Sequence, residues 1–316
     1  MLLRVLQRLG ILVGSLLVSS LVVFTFMAVL PGNPARVALG VNASDAAVAE
    51  MEQQFGLDRS YVVQYLDWLQ GLLTFDLGTS YVSRAAIGPE VTDRFLVTLW
   101  LVGAAMIIAL VIALPLGTLM AVRHRRLSGL ALSAASQVGV AVPAFLAGIL
   151  LITLFSVKLG WLPANGWTPP AEDPAMFLQQ LVLPALSLGL VQGAVLTRYV
   201  RSAVLDVLRE DYLRTARAKG LRSGQALLRH GLRNAAVPVV TVLGLQLATL
   251  LVGAVVVERV FVIPGLGSLL LDSVANRDLI MVQDVVMILV VAVLLVNFLV
   301  DVLYAVIDPR LRTGHA

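Results

Sequence analysis

Two uninterrupted stretches leave this chain few options. Residues 95–122 and 127–157 carry no Asp, Glu, Lys or Arg across 28 and 31 positions. A helix needs about 20 apolar residues to cross a bilayer, and a soluble fold has no way to bury several such runs. Uncharged apolar runs recur at 9–30, 174–197 and 234–257, and a sixth at 285–307 is interrupted only by Asp301. The composition agrees: 59% of residues are hydrophobic and 13% charged, against about a quarter charged in soluble domains. The pattern predicts an all-α polytopic membrane protein with six transmembrane helices.

The first run tests that reading, because Arg4 and Arg8 ahead of it could be the positive end of a signal peptide. Such peptides have an apolar region of about 7–15 residues. The uncharged interval between Arg8 and Arg36 is 27 residues long, so a retained span is expected. Gly10 and Gly14, one turn apart, offer a small-xxx-small contact.

The largest polar insert, 31–94, follows this span. Pro31-Gly32-Asn33-Pro34 stops the first helix, and Ser44 is placed to cap a short helix ending near Phe55. Val62, Tyr65, Leu66, Leu69, Leu72 and Leu73 fall at helical spacing over 61–73, predicting one apolar face. A segment of roughly 60 residues is too thin for an independent core, so it is expected to form a small cap. Further on, Arg123-His124-Arg125-Arg126 leaves room only for a tight loop, and Trp161 and Trp167 are natural interfacial anchors.

Orientation follows from charge. With the N-terminus inside, the cytoplasmic segments hold 16 of the 23 Lys and Arg, and the outer segments hold seven against 14 acidic residues. Positive residues favour the cytoplasmic side, so N-in/C-in is expected. The same bias explains the net charge of +4 without invoking nucleic acid.

Several chemistries are missing. The chain has no cysteine, hence no disulfide, thiolate metal site or Cys nucleophile. His124, His230 and His315 all fall on the cytoplasmic side at no metal-binding spacing, and no H-E-x-x-H, G-x-S-x-G or G-x-x-x-x-G-K-[ST] string occurs. Ionisable residues within spans mark ion-coupled carriers; on these boundaries the first five spans have none and the sixth has Asp301 alone. Uncharged polar groups do occur at membrane depth: Gln137, Gln192, Gln246 and Asn297. They suit either interhelical hydrogen bonds or the lining of a passage, with Gln192 and Gln246 the foremost candidates. Pro115, Pro143, Pro184 and Pro238 lie in or beside spans, and Gly189 and Gly193 would admit a closely packed helix.

Nine of the 23 Lys and Arg fall within 198–233. Val204, Leu205, Leu208, Tyr212 and Ala216 recur there at helical spacing, which predicts an amphipathic surface helix. Gly220 is placed to end it, and Ser223 to cap a second helix leading into the fifth span. Read by charge alone, this segment is equally an interfacial helix on anionic lipid.

The string Asp211-Tyr212-Leu213-Arg214-Thr215-Ala216-Arg217-Ala218-Lys219-Gly220-Leu221, followed by Arg229-His230-Gly231-Leu232-Arg233-Asn234-Ala235-Ala236-Val237-Pro238, resembles the cytoplasmic EAA loop of ABC importer permeases. Its form is that of the dipeptide/oligopeptide/nickel permease family. The resemblance spans the chain: Leu30-Pro31-Gly32-Asn33-Pro34, Phe55-Gly56-Leu57-Asp58, Gln64-Tyr65, Asp76-Leu77-Gly78-Thr79-Ser80, Phe261-Val262-Ile263-Pro264-Gly265-Leu266-Gly267 and Asp308-Pro309-Arg310 are all similar to that family's segments. One departure stands out. The general motif opens with Glu-Ala, where this chain has Arg214-Thr215, so a salt bridge from a loop glutamate is not implied.

The resemblance implies a type I ABC importer permease fold in the bacterial cytoplasmic (inner) membrane. It also implies a second related permease, two ABC ATPase subunits that bind ATP and Mg, and an extracytoplasmic substrate-binding protein. The chain itself would carry no cofactor, metal or catalytic residue and would contact membrane lipid. Asp211, Arg214, Thr215, Ala216, Arg217, Ala218, Lys219 and Gly220 would couple it to an ATPase, and Tyr81, Arg84, Pro264, Gly265 and Gly267 are candidates for docking on the outer side. On this reading the chain divides into 1–30, the first span; 31–94, the outer insert; 95–307, a five-helix core with coupling loop 198–233 and outer loop 258–284; and 308–316, a cytoplasmic tail. Di- and oligopeptides are the leading ligands implied, with nickel chelates, glutathione and haem-like molecules as alternatives. A channel-like subunit with a lipid-binding loop, or a secondary carrier, would be the readings from other classes.

Overall fold

The computed structural model describes residues 2–30, 32–40 and 42–307; the tail motif Asp308-Pro309-Arg310 and Pro31 lie outside them. Among the described residues there are thirteen α-helices, two π-helical turns and no strand beyond a single Thr79–Ala86 bridge. Five helices are long and apolar enough to cross a membrane, and six spans result if one bent pair counts as a span.

The elements are α1 (Leu2–Val29), α2 (Pro34–Leu39), α3 (Asp45–Gln54), α4 (Tyr61–Thr74), α5 (Ile87–Val122), α6 (Leu127–Ala141), α7 (Ala144–Leu151), α8 (Pro174–Leu208), α9 (Asp211–Ala218), α10 (Ser223–Ala226), α11 (Leu232–Phe261), α12 (Leu266–Ala275) and α13 (Leu279–Ile307). They divide into two compact units, one centred on Leu99–Ile263 and including the end of α13, the other formed by Leu6–Thr98 and Pro264–Leu295.

In the first unit α8 is the central element. Asp173 starts it, accepting hydrogen bonds from the Ala175 and Met176 amides at 3.0 Å each, with Pro174 in the first turn. Gly189 explains how closely α5 lies: a Cβ there would stand 2.7 Å from Ile108 Cγ2 and 2.9 Å from the Ala105 carbonyl oxygen. Ser136 of α6 donates to the Ala194 carbonyl at 2.9 Å, fixing α6 on α8.

The uncharged run at 127–157 is not one straight helix. α6 and the segment Ala144–Lys158 diverge by 97°. Val142 is extended (φ −83°, ψ 121°) and Pro143 follows it (φ −61°, ψ 142°). Proline lacks the amide a helix interior needs and pushes the preceding residue out of the helical region. Pro115, Pro184 and Pro238, by contrast, lie inside continuous helices. The segment after the bend ends in a π-helical turn, Ile152–Lys158.

The second unit has its own core, in which Leu77, Ile87 and Val91 meet Leu266 and Leu269 of α12 and Met281 and Val285 of α13. Ser44 caps α3 as expected, accepting from the Ala47 amide at 3.3 Å. The packed face of α4 differs from the expected one. Val62, Leu66 and Leu73 are exposed, and no residue of α4 is fully buried. The helix is turned by its polar-tipped aromatics instead: the Tyr65 hydroxyl bonds Ser20 at 2.9 Å, and Trp68 Nε1 donates to Asp284 Oδ1 at 2.7 Å.

The outer loop 258–284 contains the helix α12, one side of which is buried, and α13 starts at Leu279, earlier than the expected 285. Asp284 consequently lies within the last membrane helix and is fully buried, while Glu258, also fully buried, lies within α11. The spans therefore hold more ionisable groups than their uncharged stretches indicate.

Candidate functional site

The basic segment folds as two short helices around a turn. α8 stops at Leu208, and Glu210 is extended (φ −68°, ψ 141°) before α9 begins, so the single helix expected through 204–216 is broken there. Leu213 and Ala216 form the buried stripe of α9, whereas Asp211, Arg214, Thr215, Arg217, Ala218, Lys219 and Gly220 are exposed. Arg214 bonds Asp211 at 3.2 Å on that exposed side.

Gly220 ends the helix as expected. The Leu221 amide reaches back to the Ala216 carbonyl at 3.3 Å and the Gly220 amide to Arg217 at 2.9 Å, the paired bonds of a Schellman turn. Its φ of +94° is the left-handed conformation that glycine adopts without a Cβ penalty. The next helix is capped by Arg222 rather than Ser223: the Arg222 amide donates to Gln225 Oε1 at 3.2 Å. A π-helical turn, Leu227–Gly231, then leads into α11.

The turn is firmly joined to its flanking helices. A Cβ on Gly231 would stand 3.1 Å from Val207 Cγ1 at the end of α8 and 3.5 Å from Leu213 Cδ1 of α9. Asn234 of α11 donates to the Tyr212 hydroxyl of α9 at 2.9 Å. α9 is thus bonded to α11 directly and meets the end of α8 around Gly231.

Deeper in this unit, Gln192 Nε2 donates to Gln246 Oε1, joining α8 to α11. Gln192 is 5% exposed and Gln246 half-buried. The other two polar candidates are not brought to this pair by any described hydrogen bond: Gln137 is exposed on α6, where its neighbour Ser136 takes the inward position, and Asn297 is half-buried on α13.

On the outer unit, Tyr81 stacks on Phe55 at 4.2 Å between ring centroids, and the Arg84 guanidinium lies 4.7 Å from the same ring. The loop carrying them is pinned by Asp278, which accepts from the Ser80 hydroxyl and, at 3.3 Å, from the Tyr81 amide. Burial, followed by the nearby Asp284 and Asp278 carboxylates, pushes the Tyr81 phenol up to about 12. Pro264 is half-buried, and Gly265 and Gly267 are buried at the start of α12. These two glycines are buried: Gly265 is the N-cap of α12 and Gly267 lies in its first turn. The Trp68–Asp284 and Ser80–Asp278 hydrogen bonds join residues some 200 positions apart, and no local pattern in the sequence announces them.

Among the described residues no group of three His, Asp or Glu could hold a metal ion. The arrangement has the parts of a mechanical device: a basic exposed helix joined to two long membrane helices.

Residues 113–313 match the family described as binding-protein-dependent transport system inner membrane component, and 1–102 match its N-terminal membrane component. The chain belongs to this family.

The permease is 44% identical, over 98% of both chains, to the glutathione transport system permease protein GsiC of Salmonella typhimurium (strain LT2), and 42% identical over the same shares to that of Escherichia coli (strain K12). Its fold is similar to that of a solved chain of the inward-facing MetNI methionine ABC transporter. The TM-score is 0.58 at 20% identity, covering 69% of this chain and 96% of that one. A second crystal form of the same transporter gives 0.59. The chain is thus a multi-pass inner-membrane permease of an ABC importer, working in a complex with partner subunits and not itself an enzyme. Membership of this family sets aside the channel and secondary-carrier readings.

Proposed function

We propose that this permease imports short peptides of the glutathione class. It would form the pathway with a second, related permease, driven by two ATPase subunits and supplied by an extracytoplasmic binding protein. The observation that carries the ligand class is the 44% identity to glutathione permeases along nearly the whole of both chains. ATP and Mg would be held by the ATPases. The exposed side of α9, with Arg214, Arg217 and Lys219, would seat against one of them. Tyr81 and Arg84, on the stacked outer loop, are better placed than Gly265 or Gly267 to meet the binding protein.

The test is uptake into proteoliposomes holding the complete complex, with glutathione, a dipeptide, a pentapeptide and a nickel chelate offered in turn. ATP-dependent accumulation of glutathione or similarly small peptides is expected. Accumulation of the nickel chelate alone would sink the ligand assignment while leaving the importer intact.

A further inference from the structure

We propose that the cavity between α1, α3 and α4 in the outer unit binds a primary ammonium group carried on a small apolar body. The cavity has a volume of about 490 Å³, within the range of roughly 300–1,000 Å³ common for small-molecule sites. All of its lining comes from this one unit.

The two sides of the cavity differ in chemistry. Phe24, Met27 and Ala28, in the last two turns of α1, form an apolar floor at the outer end of the first span. The other face of the same turns, with Val22, Phe26 and Val29, is exposed. Opposite the floor stand Glu52, Asp67, Asp76 and Arg59. Three carboxylates less one guanidinium leave two negative charges. Arg59 is committed to Asp67 at 2.6 Å. Glu52 accepts from Asn33 Nδ2 at 2.5 Å and Asp76 from the Gly78 amide at 3.3 Å, both neutral donors.

Both of these carboxylates are held in place by the fold. Asn33 also caps α2 through its Oδ1, which aims its amide nitrogen at Glu52. Asp76 follows Phe75, whose φ of +61° turns the chain back onto α4. Only glycine fits at 71, because a Cβ there would stand 2.6 Å from the Asp76 carbonyl oxygen.

Aromatic rings complete the recognition. Tyr61, Trp68 and Tyr81 share the lining, and ring faces attract ammonium groups. Phe55, on the same wall, already takes a cation in this way, with the Arg84 guanidinium 4.7 Å from its centroid. An anionic ligand would meet net repulsion, and a wholly apolar one would strip water from the carboxylates without replacing it. An ammonium on an apolar body answers both sides. It could come from the amino end of a soluble peptide or from an aminolipid headgroup at the depth of the floor.

The chain has no cysteine, so Gln54→Cys at the exposed rim of the cavity gives a single reporter on the permease band. Its alkylation by a maleimide is timed in the complete complex, held in nanodiscs of phosphatidylglycerol. Leucyl-leucinamide, which has an ammonium and no carboxylate, is added in one arm and its N-acetyl form in another. A third arm replaces part of the lipid with phosphatidylethanolamine. Severalfold slower alkylation is expected with the free amine if the ligand is soluble, or with phosphatidylethanolamine if it is a lipid. The acetylated form should leave the rate unchanged, and Glu52→Gln/Asp76→Asn should abolish the slowing. No slowing from either source, equal slowing by the acetylated form, or slowing that survives the double substitution would overturn the proposal.

Discussion

Asn234 Nδ2 donates to the Tyr212 hydroxyl at 2.9 Å, so the short helix α9 is held by a side-chain bond to the first turn of α11. Tyr212 is 37% exposed, and a partly solvated neutral bond contributes about 0.5–1.5 kcal/mol. Tyr212→Phe is therefore expected to lower the melting temperature only slightly. It should nonetheless reduce uptake per ATP, measured in the reconstituted complex, because it loosens the joint.

Gly231 is the tighter constraint. A Cβ there would be 2.7 Å from Leu227 Cδ1 as well as 3.1 Å from Val207 Cγ1. Leu227 can move its terminal methyl, whereas Val207 is buried and stiff at χ1. Gly231→Ala is expected to destabilise by about 1–3 kcal/mol, the usual cost of overpacking, read from thermal unfolding in detergent. Gly231→Val should be worse.

On the outer unit, Trp68→Phe removes the donor to Asp284 Oδ1. The other oxygen, Oδ2, is already buried without a hydrogen-bond partner. A buried polar group left unpaired costs about 1–3 kcal/mol, so a clear drop in melting temperature is expected. Trp68→Phe/Asp284→Leu should recover part of it, since no unpaired carboxylate remains.

Tyr81 predicts an alkaline effect. Its phenol is raised from 10.0 to about 12 by burial and then by Asp284 and Asp278. A raised pKa in the folded state gives stability that is fully present below the unfolded value and is lost as pH rises through the folded one. Unfolding should therefore become easier between pH 10 and about 12, and Tyr81→Phe should flatten that part of the pH–stability profile.

Much of this architecture was legible in the sequence, because a bilayer accepts few backbones and uncharged runs announce them. The Gly220 turn was equally plain, since a left-handed C′ position selects glycine. The bend at Pro143 was harder to read: Pro115, Pro184 and Pro238 look the same in sequence, yet their helices run on. Tertiary packing decides which proline breaks a span. The buried acids escaped for a related reason. Asp278 and Asp284 lie in a polar stretch that resembles a solvated loop, and only distant partners, Ser80 and Trp68, account for their burial. Of the four polar candidates at membrane depth, Gln192 and Gln246 stood foremost as the lining of a passage, but spacing does not show that they bond each other. Gln192 and Gln246 are 54 positions apart, and their meeting depends on how α8 packs on α11.

The central claim is that energy enters the permease through α9 and its glycine turn. Gly220→Val tests it most directly. The position has open space around it, so the substitution acts through the backbone alone, forcing a β-branched residue into φ +94° at a cost of roughly 1–2 kcal/mol. In proteoliposomes containing the complete complex, ligand uptake and ATP hydrolysis are measured together. Uptake should fall at least tenfold while the complex still assembles and hydrolyses ATP. Uptake per ATP equal to that of the unsubstituted complex would contradict the account.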